Sequence, residues 1–446
     1  QAMKQIPPPP TFEEVIAANQ ERITDILQAG ITPTPRGKYY HWDKLRHLKP
    51  PEGLTSEEWW ASVKIARRQL RRLLPLATAV GNPFTFAMVD PIQEMLHRID
   101  QQAAGRIATS DEITNPETRD RYIFSSLVEE SIASSQLEGA STTRQVAADM
   151  IRSGRKPRDK SEQMIFNNFL ANRHIRSFTD RPLKTADVLE LHRILTDNTL
   201  DDPDAAGRLQ TPNEERVVVA DERSNTILHT PPPAPQLQKR LKEMCQFAND
   251  ERKGPFLHPV IRAIILHFWV GYDHPFIDGN GRTARSLFYW SMISSGYWFI
   301  EFISISTILK NAYAQYARSY LYAESDENDA TYFIVYQLEV LLRALDELEA
   351  NIDRKVSQIH PVEKHLRGRS NYNHRQLALL GHALRHPGVK YTIKSHQTSH
   401  NVAYATARQD LLTLAEDNLL EGRRAGKKTL EFFAPDDLGD RVAALG

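Results

Sequence analysis

The stretch His274-PFIDGNGRTA-Arg285 decides how this chain is read, because twelve residues hold two glycines, two arginines, a carboxylate and a histidine. Apolar residues at helical spacing flank it over roughly 258–271 and 281–296, so it should form a loop running into a helix N-terminus. Gly279 and Gly281 let the backbone take positive φ and approach a ligand closely. Successive amides there can form an anion nest, strengthened by the first-turn N–H groups and the helix dipole. Arg282 and Arg285 lie three apart and share a helix face, which makes two guanidinium forks beside that nest a polyphosphate clamp. Asp278 is a hard oxygen ligand suited to a magnesium ion otherwise held by phosphates and water. His274 stands where a base would take the proton of an attacking hydroxyl. Each residue alone has a plainer explanation: a turn, a helix cap or a solvated arginine. Together, at this spacing, they do not read as a solvated loop.

Working outward, the chain has 446 residues, which at roughly 100 to 200 per domain implies more than one domain. Its 56 basic and 56 acidic side chains cancel, which argues against a polyanion-binding surface along the whole chain. A local basic patch is still allowed. Hydrophobic residues at 41% and charged residues at 25% fit a globular protein with buried cores. The single cysteine, Cys245, excludes a disulfide within the chain and any cysteine metal cluster, so a reducing compartment is expected. Gln1 to Pro10 lacks the apolar stretch of a signal peptide. The apolar runs near 260–270 and 297–305 are short and interrupted by charge, below the roughly 18 to 20 residues of a membrane span. A cytoplasmic protein with no membrane partner is the expectation.

The fold class expected is mainly α. Thr11 to Gly30 carries helical periodicity, and Thr55-x-x-Glu58 ahead of Trp59 and Trp60 is a capping-box signature for a helix reaching about Leu76. Further helices are expected near 82–104 and 117–150, making 1–115 a helical N-terminal region. Arg216-VVVADERSNTILHT-Pro231 holds two β-branched runs around Asp221 to Asn225 and reads as a hairpin over about 216–230. The prolines from Pro231 to Pro235 then lead into a helix at 236–250. Residues 351–370 are polar and charged, a candidate linker. Beyond them, 371–446 orders helices at 373–386 and 401–420 before GRRAGKKTLEFF, the order of a winged helix-turn-helix domain. The basic loop Arg423, Arg424, Lys427 and Lys428 is equally a DNA contact or a solvated charged loop on a helical interaction module.

The central stretch resembles the Fic family signature HPFx[D/E]GNGRxxR at every specified position, and the resemblance extends over roughly 120–345. The segment His41 to Leu45 (HWDKL) and the C-terminal domain are similar to those of multi-domain bacterial Fic proteins. The resemblance implies an all-helical Fic core over 116–350 that transfers AMP from ATP to a Tyr, Thr or Ser hydroxyl of a protein, releasing pyrophosphate. It implies His274 as general base and Asp278 as the Mg2+ ligand. Gly279, Asn280 and Gly281 would form the anion hole, with Arg282 and Arg285 on the triphosphate. The hairpin resembles the family's flap, which pairs with a target segment as an added strand; its alternative is a surface hairpin without a partner. Lys310-NAYAQ-Tyr316 resembles the adenine-side segment through Asn311 and Tyr316, while the first of the family's tandem tyrosines is Gln315 here.

Upstream, Ser134-SQLE-Gly139 is locally a helix end with a glycine C-cap. Beside the Fic motif it matches the inhibitory signature [S/T]xxxE[G/N], with Ser134, Glu138 and Gly139 in the specified places on a helix of about 126–140. That match implies that Glu138 pairs with Arg285 and takes the place of a γ-phosphate. The expected protein is thus an autoinhibited adenylyltransferase acting on a protein target, with self-modification and a homodimer open. The alternatives are a DNA-binding regulator with a nucleotide-sensing core, and a Fic enzyme that removes AMP or transfers another phosphate-containing group.

Overall fold

The computed structural model describes residues 6–28, 32–104, 116–216, 218–221, 226–251, 254–367, 372–385, 388–400, 402–425 and 429–444. The chain divides into two compact units, one within 1–101 and 126–344 and the other within 102–125 and 345–446. The architecture is mainly helical with small antiparallel sheets.

In the first unit, α1 (Phe12–Ala18), α2 (Ile23–Gln28), α3 (Trp42–Leu45) and α4 (Ser56–Arg68) lead to the strands β1 (Arg71–Ala77) and β2 (Pro83–Ala87), then α5 (Asp90–Ala104). The Thr55–Glu58 capping box forms as its sequence implies, each side chain meeting the other's backbone amide. The helix does not reach Leu76, however, and residues 83–87 are not helical. Pro75 cannot continue a helix, and Phe84 and Phe86 are buried on alternate positions, the period of a strand.

This N-terminal region is part of the same unit as the central helices, not a separate body. Lys64 on α4 lies 2.6 Å from Asp326, both buried. The Arg67 guanidinium covers the ring of Tyr39 and donates to the hydroxyl of Tyr332 at 2.9 Å. His41, from the HWDKL segment, stacks on Tyr322 with ring centroids 4.2 Å apart. The segment is therefore built into the core.

The central helices are α6 (Pro116–Leu137), α7 (Arg144–Ser153), α8 (Lys160–His174) and α9 (Thr185–Thr196). After them come the hairpin strands β3 (Val219–Asp221) and β4 (Thr226–His229), then α10 (Ala234–Ala248), α11 (Pro259–Asp273) and α12 (Asn280–Ser294). The unit continues through α13 (Ile305–Asn311), α14 (Tyr313–Ser325) and the first part of α15 (Thr331–Arg367), which from residue 345 belongs to the second unit. α11 is apolar on nearly every side and is buried accordingly, with Ile264, Ile265, Leu266 and Phe268 fully enclosed. Cys245 on α10 is buried, and burial pushes its thiol up to about 12, which keeps it protonated and inert. The segment expected as a linker from 351 is helical to Arg367. The helix runs through Pro361, and Ile352, Val356, Ile359, Val362 and Leu366 keep helical spacing across it, so apolar periodicity persists within the polar composition.

The rest of the second unit comprises α16 (His374–Arg385), β5 (Lys390–Thr392), α17 (Ile393–His400), α18 (Tyr404–Glu416), β6 (Glu421–Ala425), β7 (Thr429–Phe433) and α19 (Leu438–Ala443). The strands pair antiparallel in the order β5-β7-β6 over a core that includes Leu380, Leu411, Leu414, Leu420 and Phe432. Lys427 and Lys428 lie outside the described residues, as do 222–225 at the turn of the β3–β4 hairpin. No helix among the described residues is long and apolar enough to cross a membrane.

Candidate functional site

The site forms where α11 ends and α12 begins. His274 caps α11 in the left-handed region, with φ of 43° and its amide donating to the Val270 carbonyl. Its Nδ1 lies 3.1 Å from the Gly271 carbonyl, an acceptor only, so Nδ1 carries the proton and Nε2 keeps a free lone pair. Burial lowers its pKa below the usual imidazole value, which leaves the ring neutral and basic at neutral pH.

The loop that follows is held from inside and from behind. The Asn280 amide spans it, accepting from the Phe276 amide at 2.9 Å and donating to the Phe276 carbonyl at 2.8 Å. From α9, His192 stacks on Phe276 with ring centroids 3.8 Å apart. Its Nδ1 accepts from the Gly207 amide at 3.0 Å, so Nε2–H donates to the Asp278 carbonyl at 2.9 Å. Burial lowers His192 to about 4, so this tautomer persists at neutral pH. Nothing local in the sequence marks His192, which sits among ordinary apolar positions of a helix. Only the packing of α9 against the loop reveals it.

Gly279 is the N-cap of α12 with φ of 81°, and a Cβ there would stand 2.8 Å from Cγ2 of Thr196. The Thr196 hydroxyl is itself fixed by a 2.8 Å bond to the His192 carbonyl, so it cannot turn away freely. We expect Gly279→Ala to cost about 1 to 3 kcal/mol, from left-handed backbone strain plus overpacking. A chemical-denaturation midpoint equal to wild type would reject that account.

The two arginines differ sharply. Arg282 is fully buried and gives one N–H to the Leu195 carbonyl at 2.7 Å, while its Nε and other terminal nitrogen have no hydrogen-bond partner. Asp278, half exposed, is 3.8 Å from that second nitrogen, too far for a hydrogen bond. Arg285 is satisfied by α6. It donates to the Ser134 hydroxyl at 2.8 Å, the Ser134 carbonyl at 2.9 Å and Oε1 of Glu138 at 2.8 Å. Burial opposes its charge, but Glu138, with Tyr316 and Glu130, outweighs burial and raises its pKa.

Glu138 is delivered by the end of α6. Gly139 has φ of 93°, its amide meets the Gln136 carbonyl and the Ala140 amide meets the Ser135 carbonyl, which is a Schellman cap. The Glu138 carboxylate then lies against Gly281, where a Cβ would overlap it. About two turns back, Glu130 is buried and accepts from Tyr289, Ser304 and Ser306, which anchors the helix.

Not every expected residue converges here. Asn311 is exposed at the end of α13. Tyr316 is buried, its hydroxyl 2.9 Å from Nε2 of His267 and its ring packed with Tyr320 and Phe333. It stands in the core, within reach of the Arg285 charge.

Residues 182–292 match the Fic/DOC family. The matched segment begins just before α9 and contains the hairpin, His274 and both arginines. Protein adenylyltransferase fic-1 of Caenorhabditis elegans is 28% identical over 228 residues, 51% of this chain and 40% of that protein. Protein adenylyltransferase Fic of Drosophila yakuba is 33% identical over 111 residues, 25% of this chain and 20% of that protein. The matches therefore span less than half the length of these curated relatives. In fold, the crystal structure of a Fic family protein from Desulfovibrio desulfuricans G20 is similar with a TM-score of 0.50 and 18% identity, covering 79% of this chain and 98% of that one.

Proposed function

We propose that this protein is an autoinhibited adenylyltransferase that moves AMP from ATP to a Tyr, Thr or Ser hydroxyl of a protein target. The observation that carries the reading is a neutral, half-buried histidine with a free Nε2 beside a helix N-terminus whose second arginine already holds an internal carboxylate. The adenylyltransferase names of its relatives support the class of reaction.

In this reading the triphosphate rests on the amides of residues 279–281. Arg282 brings two buried nitrogens without hydrogen-bond partners, Nε and Nη2, the donors an anionic ligand would satisfy. Arg285 would take the γ-phosphate once Glu138 leaves. The target hydroxyl attacks Pα, the bond to the bridging oxygen breaks, pyrophosphate departs and the hydroxyl proton passes to Nε2 of His274. The half-exposed Asp278 carboxylate fits a magnesium ion held mainly by phosphates, which would supply charge neutralisation. Asn311 would face the adenine side, and the hairpin would orient the target segment by strand pairing.

Incubation of the full chain with ATP and magnesium, followed by intact-mass measurement of the chain and of supplied target proteins, tests the reaction. A gain equal to one AMP supports it, and a gain equal to one phosphate rejects it. A winged-helix role in DNA contact is the second reading for the C-terminal unit, favoured by Arg423 and Arg424 standing exposed on β6.

A further inference from the structure

Both ends of the β3–β4 hairpin are tied to the end of the helix that delivers His274. The last carbonyls of any helix lack intrahelical donors and lie at the negative end of its dipole. Here three consecutive carbonyls at the end of α11 are received by side chains from the hairpin. Arg216, ahead of β3, donates from Nη2 to the carbonyls of Asp273 at 2.8 Å and His274 at 3.1 Å. The same guanidinium donates from Nε to the Pro232 carbonyl at 2.9 Å and from Nη1 to the side chain of Gln210. His229, the last residue of β4, has Nε2 2.6 Å from the Tyr272 carbonyl and Nδ1 2.7 Å from Oε2 of Glu324.

Both partners of His229 are acceptors, and a neutral imidazole has only one N–H to offer. A neutral ring would leave a lone pair facing either the carboxylate or the carbonyl. We propose that His229 is a positioning residue that works as an imidazolium clasp, holding the hairpin against the helix end that carries His274 until it loses its proton. The proposal rests on the reading of His274 as the base and of the hairpin as the target-binding strand.

The groups that face His229 favour its charged form on balance. Glu324 approaches from α14, the Tyr272 ring lies 4.8 Å away, and Asp273 is close but paired with Arg240 at 2.6 Å. Burial lowers the His274 pKa, and the charges of His229 and Arg216 lower it further, so a charged clasp helps to keep the neighbouring base neutral. Burial lowers the His229 pKa, but the bond and charge of Glu324, together with the Tyr272 carbonyl and the Asp273 charge, outweigh burial and raise it. A raised pKa in the folded state means the clasp is fully formed below the ordinary imidazole value and is lost as pH rises through the raised value.

Hydrogen exchange on the full chain reads the clasp without any need for activity. Protection factors, corrected for intrinsic exchange, are measured for the amides of Ile227 to His229 from about pH 6 to about pH 9, spanning the ordinary imidazole value. In the wild type, protection should fall about tenfold across the alkaline half, the factor one charge-assisted bond commands. His229→Gln, which keeps a donor for one partner only, should start lower by a similar factor and show no pH dependence. Wild-type protection that stays constant with pH, or a variant indistinguishable from wild type at the acid end, overturns the proposal. ATP binding by calorimetry in a Glu138→Gly background separates positioning from collapse of the site. Unchanged affinity on adding His229→Gln supports the clasp, and loss of binding makes His229 a general structural support instead. If the Glu138→Gly chain itself binds no ATP, the adenylyltransferase reading fails while the exchange result still decides the clasp.

Discussion

Replacing His274 by Ala in a Glu138→Gly chain should lower AMP transfer by about 100- to 10,000-fold while ATP binding is largely kept. The background matters, because a chain whose Arg285 is held by Glu138 has little activity to lose. The expectation follows from the division of labour at the loop. Nucleotide affinity is assigned to the amides of 279–281 and to the two arginines, none of which touches the imidazole in the structure's hydrogen bonds. Nε2 of His274 is assigned only to the attacking hydroxyl. His274 also occupies a left-handed backbone position with φ of 43°, so Ala adds some backbone strain. His274→Asn is the matching control, since Asn tolerates that conformation but supplies no comparable base. Equal losses of transfer in both variants, with ATP affinity retained, mark the imidazole itself. Undiminished transfer by either folded variant would remove histidine from this role.

Glu138→Gly alone should raise AMP transfer roughly 100-fold, the release expected if the inhibited arrangement is favoured by about 2.7 kcal/mol. The carboxylate bonds a buried guanidinium at 2.8 Å and lies over Gly281, so it competes for both the arginine and the helix N-terminus. Its removal frees Arg285 for the γ-phosphate and opens the productive pose of the triphosphate. The remaining contacts of α6 should survive, because Ser134 and Glu130 hold the helix independently of Glu138. Adding Arg285→Ala should abolish the gain, since the freed clamp is then absent. Initial transfer rates for wild type, single and double variants decide the matter. Equal rates for wild type and Glu138→Gly, both folded and given a competent target, would end the autoinhibition claim.

Much of the local structure was legible in the chain. The capping box at Thr55 and Glu58, the glycine stop after Leu137 and the helices on either side of the 274–285 loop all follow from interactions within four or five residues. The same local range explains the errors. The periodicity that starts α4 gave no reason to stop before Pro75, and strand pairing between Leu73 and Thr85 depends on a partner across a turn. The polar composition of 351–367 reads as a linker, whereas the apolar residues at helical spacing keep it helical even across Pro361.

What the sequence determined by itself is the chemistry gathered in twelve residues: an imidazole, a carboxylate, an anion nest and two guanidinium groups. Tertiary structure decided which of these groups are available. Arg282 keeps two nitrogens without hydrogen-bond partners, whereas Arg285 is occupied by a serine and a glutamate some 150 residues earlier, from α6. Packing also recruited His192, Arg216 and His229, which carry no local signature, and it buried Tyr316 in the core away from the exposed Asn311. The physical reason is range. Propensity, capping and turn chemistry act between near neighbours, while charge state, tautomer and occupancy depend on what the fold brings within about 3 Å of each polar atom.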